Sequence, residues 1–449
     1  MSISDQTGPT RQTSLNTGEM RRILASSFVG SAIEFYDFML YATASSIVFP
    51  KLYFADLGPG LAVVAAFATL AAGYFARPIG GVLFGHFGDR YGRKKALVVS
   101  MVVMGGVTVA IGLMPTTAQI GIIAPILLLV LRLVQGVAVG GEWGGAALMA
   151  VEHAPKNRRG FAAAFANAGG PAGAVLATLV LSLMTVLTGP AFTTWGWRIP
   201  FLLSALLIIV GLMIRLKVSE TPAFQALQAA SHERRLPVVD VLRHHKGAVV
   251  AALMVTISVY TTQAIVTVWG VSVAVAAGED KTAVLNWKAA AAILTVIVTF
   301  ASARVSDRVG QRRALTFGCL VTAASAFPLV FLVGSGELGQ YAVAIMLGNG
   351  VAQGLIYGPI AAYVASLFPA DVRYTGASIG YQGASALGAG LTPVIASALV
   401  LLPVGGLWWV GAYWAGLALV SAAVAAFYRP GTDTQPAATT MAPAVAAHR

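Results

Sequence analysis

Apolar runs long enough to cross a bilayer recur twelve times along this chain. Six fall near 23–48, 61–84, 97–114, 120–152, 161–188 and 199–216. After a polar stretch, six more fall near 247–276, 287–303, 314–334, 339–367, 375–402 and 406–428. About 20 apolar residues in a helix cross ~30 Å of hydrocarbon. A backbone in lipid must also satisfy its own hydrogen bonds, which leaves helices as the only reading of such runs. Composition agrees, with 57% of the 449 residues hydrophobic and 10% charged, against about 25% charged in soluble domains. The expected fold class is an all-α polytopic membrane protein of twelve transmembrane helices in two pseudo-symmetric six-helix bundles. The expected organisation is a disordered cytosolic tail at 1–22, a first bundle at 23–216, a charged cytosolic linker at 217–246, a second bundle at 247–428 and a disordered cytosolic tail at 429–449.

The net charge of +12 would suit a nucleic-acid binder, but the positions of the cations argue otherwise. Lys51, Arg198, Lys281 and Lys288 fall on one side of the expected membrane and Arg77 and Arg132 lie within spans. The remaining 23 of the 29 cations fall on the other side. Cations collect on the cytosolic side of membrane proteins, so both ends are placed in the cytosol and no nucleic-acid partner is expected. The first span is too long for a signal-peptide core, so a retained helix is expected. Cys319 is the single cysteine, which excludes a disulfide or thiolate metal site within one chain.

One loop organises the rest. Gly85-His86-Phe87-Gly88-Asp89-Arg90-Tyr91-Gly92-Arg93-Lys94-Lys95 joins spans two and three, and reads as a glycine-punctuated turn at a water interface. A weaker copy, Ala303-Arg304-Val305-Ser306-Asp307-Arg308-Val309-Gly310-Gln311-Arg312-Arg313, follows 218 residues later. A loop repeated at half-chain spacing implies two similar halves. Gly85 and Gly92 would permit a tight backbone path. Asp89 would cap a helix or meet an arginine, while Arg90, Arg93 and Lys94 would tie helix ends together, making the loop a gating latch. Asp307 and Arg308 would form its weaker counterpart.

Ionisable groups deep in spans are few. Glu34, Asp37 and Glu142 are the acids, all in the first half, and an intramembrane charge is by default a functional hypothesis. Proton movement, if present, must therefore use the first half. Glu34, Asp37 and Tyr41 share one helix face at i, i+3 and i+7. Arg132 on span four reaches a similar depth, with Gln135 continuing its face, so an Asp37–Arg132 pair across a central cavity is expected. Two buried carboxylates one turn apart resist double ionisation, so one of them can load and release a proton. Asp37 or Glu34 suits that role better than Glu142, which lies nearer the glycine patch. Gly136, Gly140, Gly141, Gly144 and Gly145 on span four read as close helix packing. No Gly-Lys-Ser/Thr follows them, so no phosphate loop is present.

The second half offers neutral candidates for substrate contact: Tyr260 and Gln263 on span seven, Asn349, Gln353 and Tyr357 on span ten, Tyr381 and Gln382 on span eleven. Asn349, Gln353 and Tyr357 form a stripe at four-residue spacing that should face a cavity. Asn167 on span five joins Arg132, Tyr41 and Gln135 as candidates from the first half. No metal site and no cofactor other than a coupling proton is expected.

The Gly85-x3-Asp89-Arg90-x-Gly92-Arg93-Lys94 loop with its copy at Asp307 resembles the signature of the major facilitator superfamily. A narrower set resembles the metabolite:proton symporters of that superfamily: Glu34-Phe35-Tyr36-Asp37-Phe38, Arg77-Pro78-Ile79-Gly80, Arg132-Leu133-Val134-Gln135-Gly136, Gly140-Gly141-Glu142-Trp143-Gly144-Gly145, Trp195-Gly196-Trp197-Arg198-Ile199-Pro200 and Val372-Arg373-Tyr374-Thr375-Gly376. The resemblance implies alternating access between two bundles. It also implies proton-coupled import of a small metabolite of the shikimate, α-ketoglutarate, citrate or proline/betaine kind across a bacterial inner membrane. The chain departs from that pattern at Ala303, Gln311 and Phe35, the last standing where the family carries tryptophan.

The leading expectation is therefore a symporter importing a small organic acid as a monomer embedded in membrane lipids. A drug- or metabolite-exporting antiporter is the alternative, suggested by Gly170-Pro171 on span five. An enzyme would need a nucleophile–base pair or metal cluster inside the spans. All six histidines lie in loops or the tail, so none is expected.

Overall fold

The computed structural model describes residues 17–140, 150–151, 154, 158–216, 237–370, 372–400 and 402–429. The first half contains α1 (Thr17–Ile47), α2 (Pro59–Tyr91), α3 (Arg93–Leu113), α4 (Ile123–Gly140), α5 (Arg159–Thr188) and α6 (Arg198–Leu216). In the second half, α7 comprises Lys246–Ala264, a π-helical turn at Ile265–Trp269, and Gly270–Ala276. It is followed by α8 (Lys281–Val309) and α9 (Gln311–Gly334). Then come α10 (Leu338–Ser366), α11 (Arg373–Val400) and α12 (Gly406–Phe427). Ten of these are long and apolar enough to cross a membrane on length and composition. Pro59–Tyr91, which carries Arg77 mid-helix, and the shorter apolar stretch of α6 complete the twelve.

Large apolar side chains cover the outside, among them Leu179, Leu206, Ile297, Phe317 and Phe427, as lipid contact requires. Trp195, Trp408 and Trp409 are exposed at one end of the bundles, where an amphipathic ring favours the membrane–water boundary. The opposite end carries the α2–α3 and α8–α9 connections with their arginines and lysines, and is called the basic end below.

Those connections are tighter than the sequence suggested. Helix α2 continues through Phe87, Gly88 and Arg90 to Tyr91, and α3 starts at Arg93. Gly92 alone makes the corner, with φ at 114°. Gly310 does the same between α8 and α9, with φ at 93°. A side chain at such an angle strains the backbone, so glycine is required there. Gly85 is helical and takes no part in the turn. A Cβ on Gly85 would lie 2.7 Å from the Thr375 backbone of α11. Gly88 meets the Tyr374 ring and Gly81 faces the Ser378 backbone. These three glycines form one stripe on which α11 of the other bundle rests.

The repeated loops staple both halves alike. Lys94 Nζ donates to Leu216 O at 2.7 Å, holding α3 to the end of α6. Arg312, its counterpart, donates from Nε to Ala425 O and from Nη2 to Tyr428 O, each at 2.9 Å, holding α9 to the end of α12. Cations on helix C-terminal carbonyls are favourable both as hydrogen bonds and against the helix dipole. Asp307 accepts from Gly160 N at 2.7 Å and Phe161 N at 2.9 Å, at the first turn of α5. The second copy therefore forms a two-bond link between bundles. Arg308 is exposed, Arg90 stacks on Tyr91, and the side chains of Asp89 and Arg93 lie outside the described residues.

The basic end is thus closed along two seams, α2 on α11 and α5 on α8. Replacing Gly85 with leucine (Gly85→Leu) is expected to part the first seam. Labelling of a Ser378→Cys probe by a water-soluble maleimide should then rise several-fold, with the buried Cys319 contributing little background. Unchanged labelling would mean that the glycine stripe is not what seals this end.

Candidate functional site

Glu34, Asp37, Arg77 and Arg132, the charged residues within the described spans of the first bundle, are all buried, but the structure separates the two acids. Asp37 and Glu34 are three residues apart on α1, a net ~60° around the helix, yet their side chains meet different neighbours. Asp37 faces inward. Its Oδ2 lies 2.9 Å from Thr108 Oγ1 of α3, and its Oδ1 accepts from Ser204 Oγ of α6 at 2.6 Å. Gln135 Nε2 of α4 donates to the same Thr108 oxygen at 2.7 Å, and Arg132 Nη1 donates to Gln135 Oε1. Four helices therefore meet around one carboxylate, which is 1% exposed.

Arg132 is held by rings as much as by hydrogen bonds. Its guanidinium carbon lies 4.2 Å from the centroid of Tyr41 and 5.1 Å from that of Phe38. Arg77 sits 4.9 Å from the same Phe38 ring and 4.6 Å from Tyr74. Desolvated stacking of this kind contributes about 2 kcal/mol per pair. Tyr41 is fixed in turn by donating to Thr69 Oγ1 at 2.7 Å. Arg132 Nε is buried with no hydrogen-bond partner. A Cβ on Gly73 of α2 would lie 2.5 Å from that nitrogen, so Gly73 is the floor on which the arginine rests.

The expected Asp37–Arg132 ion pair across a central cavity is not formed. No contact within 4.0 Å joins the two among the described residues, although each lies in the other's field. Both are enclosed by the first bundle, Asp37 by hydroxyls from α3 and α6 and Arg132 by Phe38, Tyr41 and Gly73. Glu34 instead faces the seam. Its charge acts on Tyr74 of the first bundle and on Tyr260, Tyr357 and Tyr381 of the second. Glu142 lies outside the described residues, as do Gly141, Gly144 and Gly145. Gly136 and Gly140 pack directly on the α2 backbone at Gly73 and Arg77.

A cavity lies between the bundles. It is lined from α1 by Phe35 and Met39, from α5 by Pro171 and Thr178, and from α7 by Gln263 and Thr267. Lys288 of α8 and Asn349, Gln353 and Tyr357 of α10 complete its polar wall. The α10 stripe thus reaches the cavity together, through a π-helical segment, Met346–Gln353. Asn349 Nδ2 donates to Gln353 Oε1, and Thr295 of α8 donates to the Asn349 carbonyl at 2.9 Å. Tyr260 and Tyr381 stack edge to face at 5.3 Å and are buried, and Gln382 accepts from Ser385. These three do not line the cavity, nor do Arg132, Tyr41, Gln135, Glu34 or Asp37. Toward the basic end, Asn167 donates to Tyr357 O at 2.6 Å across the bundles. Below it Phe161, Phe165 and Phe300 cluster, with Arg304 over Phe161.

The sequence places Lys288 on the outer side, at the very edge of an apolar run that starts near 287. The helix starts at Lys281, capped by Asp280, whose side chain accepts from Ala283 N at 2.8 Å. That cap was legible in sequence and puts Lys288 two turns inside.

Gly73→Val is expected to lower stability by about 1–3 kcal/mol through collision with Arg132. In a double-mutant cycle most of that loss should vanish on an Arg132→Met background. Additive thermal midpoints would show that Gly73 does not support the arginine.

Comparison with known proteins places this geometry. A family model described as Major Facilitator Superfamily matches residues 28–382. The chain is 39% identical over 383 residues to the inner membrane metabolite transport protein YhjE of Escherichia coli, covering 84% of this chain and 87% of that one. It is 38% identical over 391 residues to the Escherichia coli shikimate transporter, covering 86% and 89%. It is 32% identical over 402 residues to the Escherichia coli proline/betaine transporter, covering 86% and 79%. Its fold is similar to that of a double-tryptophan mutant of XylE, with a TM-score of 0.75 at 17% identity, covering 94% and 98% of the two chains. On the family model and these relatives together, the chain belongs to the Major Facilitator Superfamily.

Proposed function

We propose that this protein is a proton-coupled symporter that imports a small organic acid, or a related metabolite, across a bacterial inner membrane. The observation that carries the reading is Asp37, buried in the first bundle, bonded by two hydroxyls and lying in the field of Arg132. Its relatives include a shikimate transporter and a proline/betaine transporter, both of which name carboxylate substrates.

Coupling follows from charge. A proton on Asp37 removes one negative charge from the first bundle and leaves Arg132 uncompensated. The potential in the cavity rises, and a carboxylate binds there more tightly. Linkage makes the effect mutual, so the bound acid also favours the proton. Thr108 and Ser204 serve both states, since a hydroxyl can donate to a carboxylate or accept from a carboxylic acid. The basic end, closed here by Asp307, Asn167 and the α2 glycines, would face the cytosol, with the cavity addressing the other side. Loading of both ligands would let the seams exchange roles, and the cargo would leave through the basic end. No cofactor beyond the proton is needed, and one chain holds all the parts, so it works as a monomer.

Asp37→Asn tests this. In proteoliposomes with an imposed pH gradient, acid outside, the parent should accumulate labelled organic acid and lose accumulation with a protonophore. The variant should lose gradient-driven accumulation by more than tenfold while retaining exchange of internal for external acid. Gradient-driven uptake persisting in the variant would remove Asp37 from coupling. Outward pumping by the parent would identify an antiporter.

A further inference from the structure

We propose that Lys288 is the substrate's carboxylate anchor, and that the cavity selects small hydroxylated acids carrying one negative charge. This inference rests on the transport reading above. It concerns what the site accepts, not how movement is driven.

Lys288 is the only charged side chain among the described residues lining the cavity. It lies seven residues into α8, about 10 Å along the helix from its start. It is half-buried, and no hydrogen bond or ion pair joins it to another described residue. The carboxylates nearest in sequence, and Glu337 at the same end, are engaged elsewhere. Glu279 accepts from Leu338 N at 2.9 Å, Asp280 caps its own helix, and Glu337 accepts from Gln340 at 2.8 Å. An ammonium two turns into a membrane helix, without a counter-ion, is costly unless a ligand or water completes it. It faces Gln263, Asn349 and Gln353, whose amides suit hydroxyl groups, and Phe35, Met39 and Pro171, which suit an apolar ring or chain. No acidic side chain lines the cavity among the described residues, so no carboxylate there pairs with a quaternary amine.

One cation balances one carboxylate. A second carboxylate on the same molecule would enter the cavity uncompensated, so diacids and triacids are disfavoured. Arg132 cannot serve as the second anchor in this state, because it is enclosed in the first bundle and stacked on Tyr41 and Phe38. The competing role for Lys288 is to extend along α8 to the far-side headgroups, as lysines near helix ends do. The neighbouring Trp287 is 41% exposed, which keeps that role in play at this depth.

Purified full-length protein decides between them by thermal shift. The probes are shikimate, quinate and gluconate as hydroxylated monoacids, the methyl ester of shikimate as a neutral match, and α-ketoglutarate as a diacid. At least one monoacid should stabilise the wild type, with the ester and the diacid much weaker. Lys288→Gln should weaken monoacid binding by about 10- to 100-fold, the loss of one charge-assisted contact, and should bind ester and acid alike. Lys288→Arg should retain part of the affinity. Equal ligand-free midpoints for the variants and the parent would show that they fold. Undiminished monoacid binding by Lys288→Gln, or a wild type that prefers the ester or the diacid or binds no monoacid, overturns the proposal. Binding needs no proton gradient. Selective binding without driven uptake would sink the symport reading and leave Lys288 standing, whereas driven uptake with no loss in Lys288→Gln would do the reverse.

Discussion

A carboxylate that must be available in a lipid-embedded bundle has to be solvated by the bundle itself. Asp37 meets that constraint with two hydroxyls, Thr108 and Ser204, each from a different helix. Hydroxyls stabilise an ion less than a guanidinium in direct contact would, and they are indifferent to the direction of the hydrogen bond. A permanent Asp37–Arg132 ion pair would have fixed the carboxylate in its charged form. By keeping Arg132 stacked on Tyr41 and Phe38 instead, the first bundle leaves Asp37 a choice of states.

The two bundles share loop chemistry but differ inside. Lys94 and Arg312 perform the same task at equivalent positions, as do Gly92 and Gly310. Within the spans, the first bundle holds buried acids and arginines. The second holds amides, tyrosines and Lys288, and its helices α7, α10 and α11 carry π-helical segments. A π-turn rotates the side chains beyond it and frees backbone groups for side-chain partners. Thr295 takes up the Asn349 carbonyl in this way, and Asn349 and Gln353 reach the cavity together. The first bundle thus holds the buried acids, and the second supplies most of the polar wall of the cavity.

Much of the architecture was legible because its physics is local. Apolar run length gives the spans, and α5, α9 and α12 begin and end within a few residues of where hydropathy places them. Loop repetition gives the two halves. The turn was overread, because charged and glycine residues look like loop in sequence although a helix emerging into water carries them without difficulty. Gly88 and Gly85 serve contact with α11, a fact set by the other bundle and invisible from α2 alone. The Asp37–Arg132 pair failed for a similar reason. Equal depth on two helices says nothing about rotation, and only packing shows that Thr108 and Ser204 reach the carboxylate first.

Lys288 is the opposite case, a residue whose depth in the helix is legible in the sequence through its Asp280 cap. Positive charge at the edge of an apolar run was read as a topology signal, and topology signals outnumber binding groups in such chains. The Asp280 cap outranks hydropathy in setting where α8 begins, since it fixes a backbone N–H while the hydropathy boundary merely averages over neighbours. Moving the helix start by two turns changes a lysine from a loop cation into a cavity group. On the proposed reading it also separates two charges: Lys288 of the second bundle lines the cavity, and Asp37 of the first does not. On that reading the wall around Lys288 can change while the Asp37 network is left untouched, because the two share no side chain.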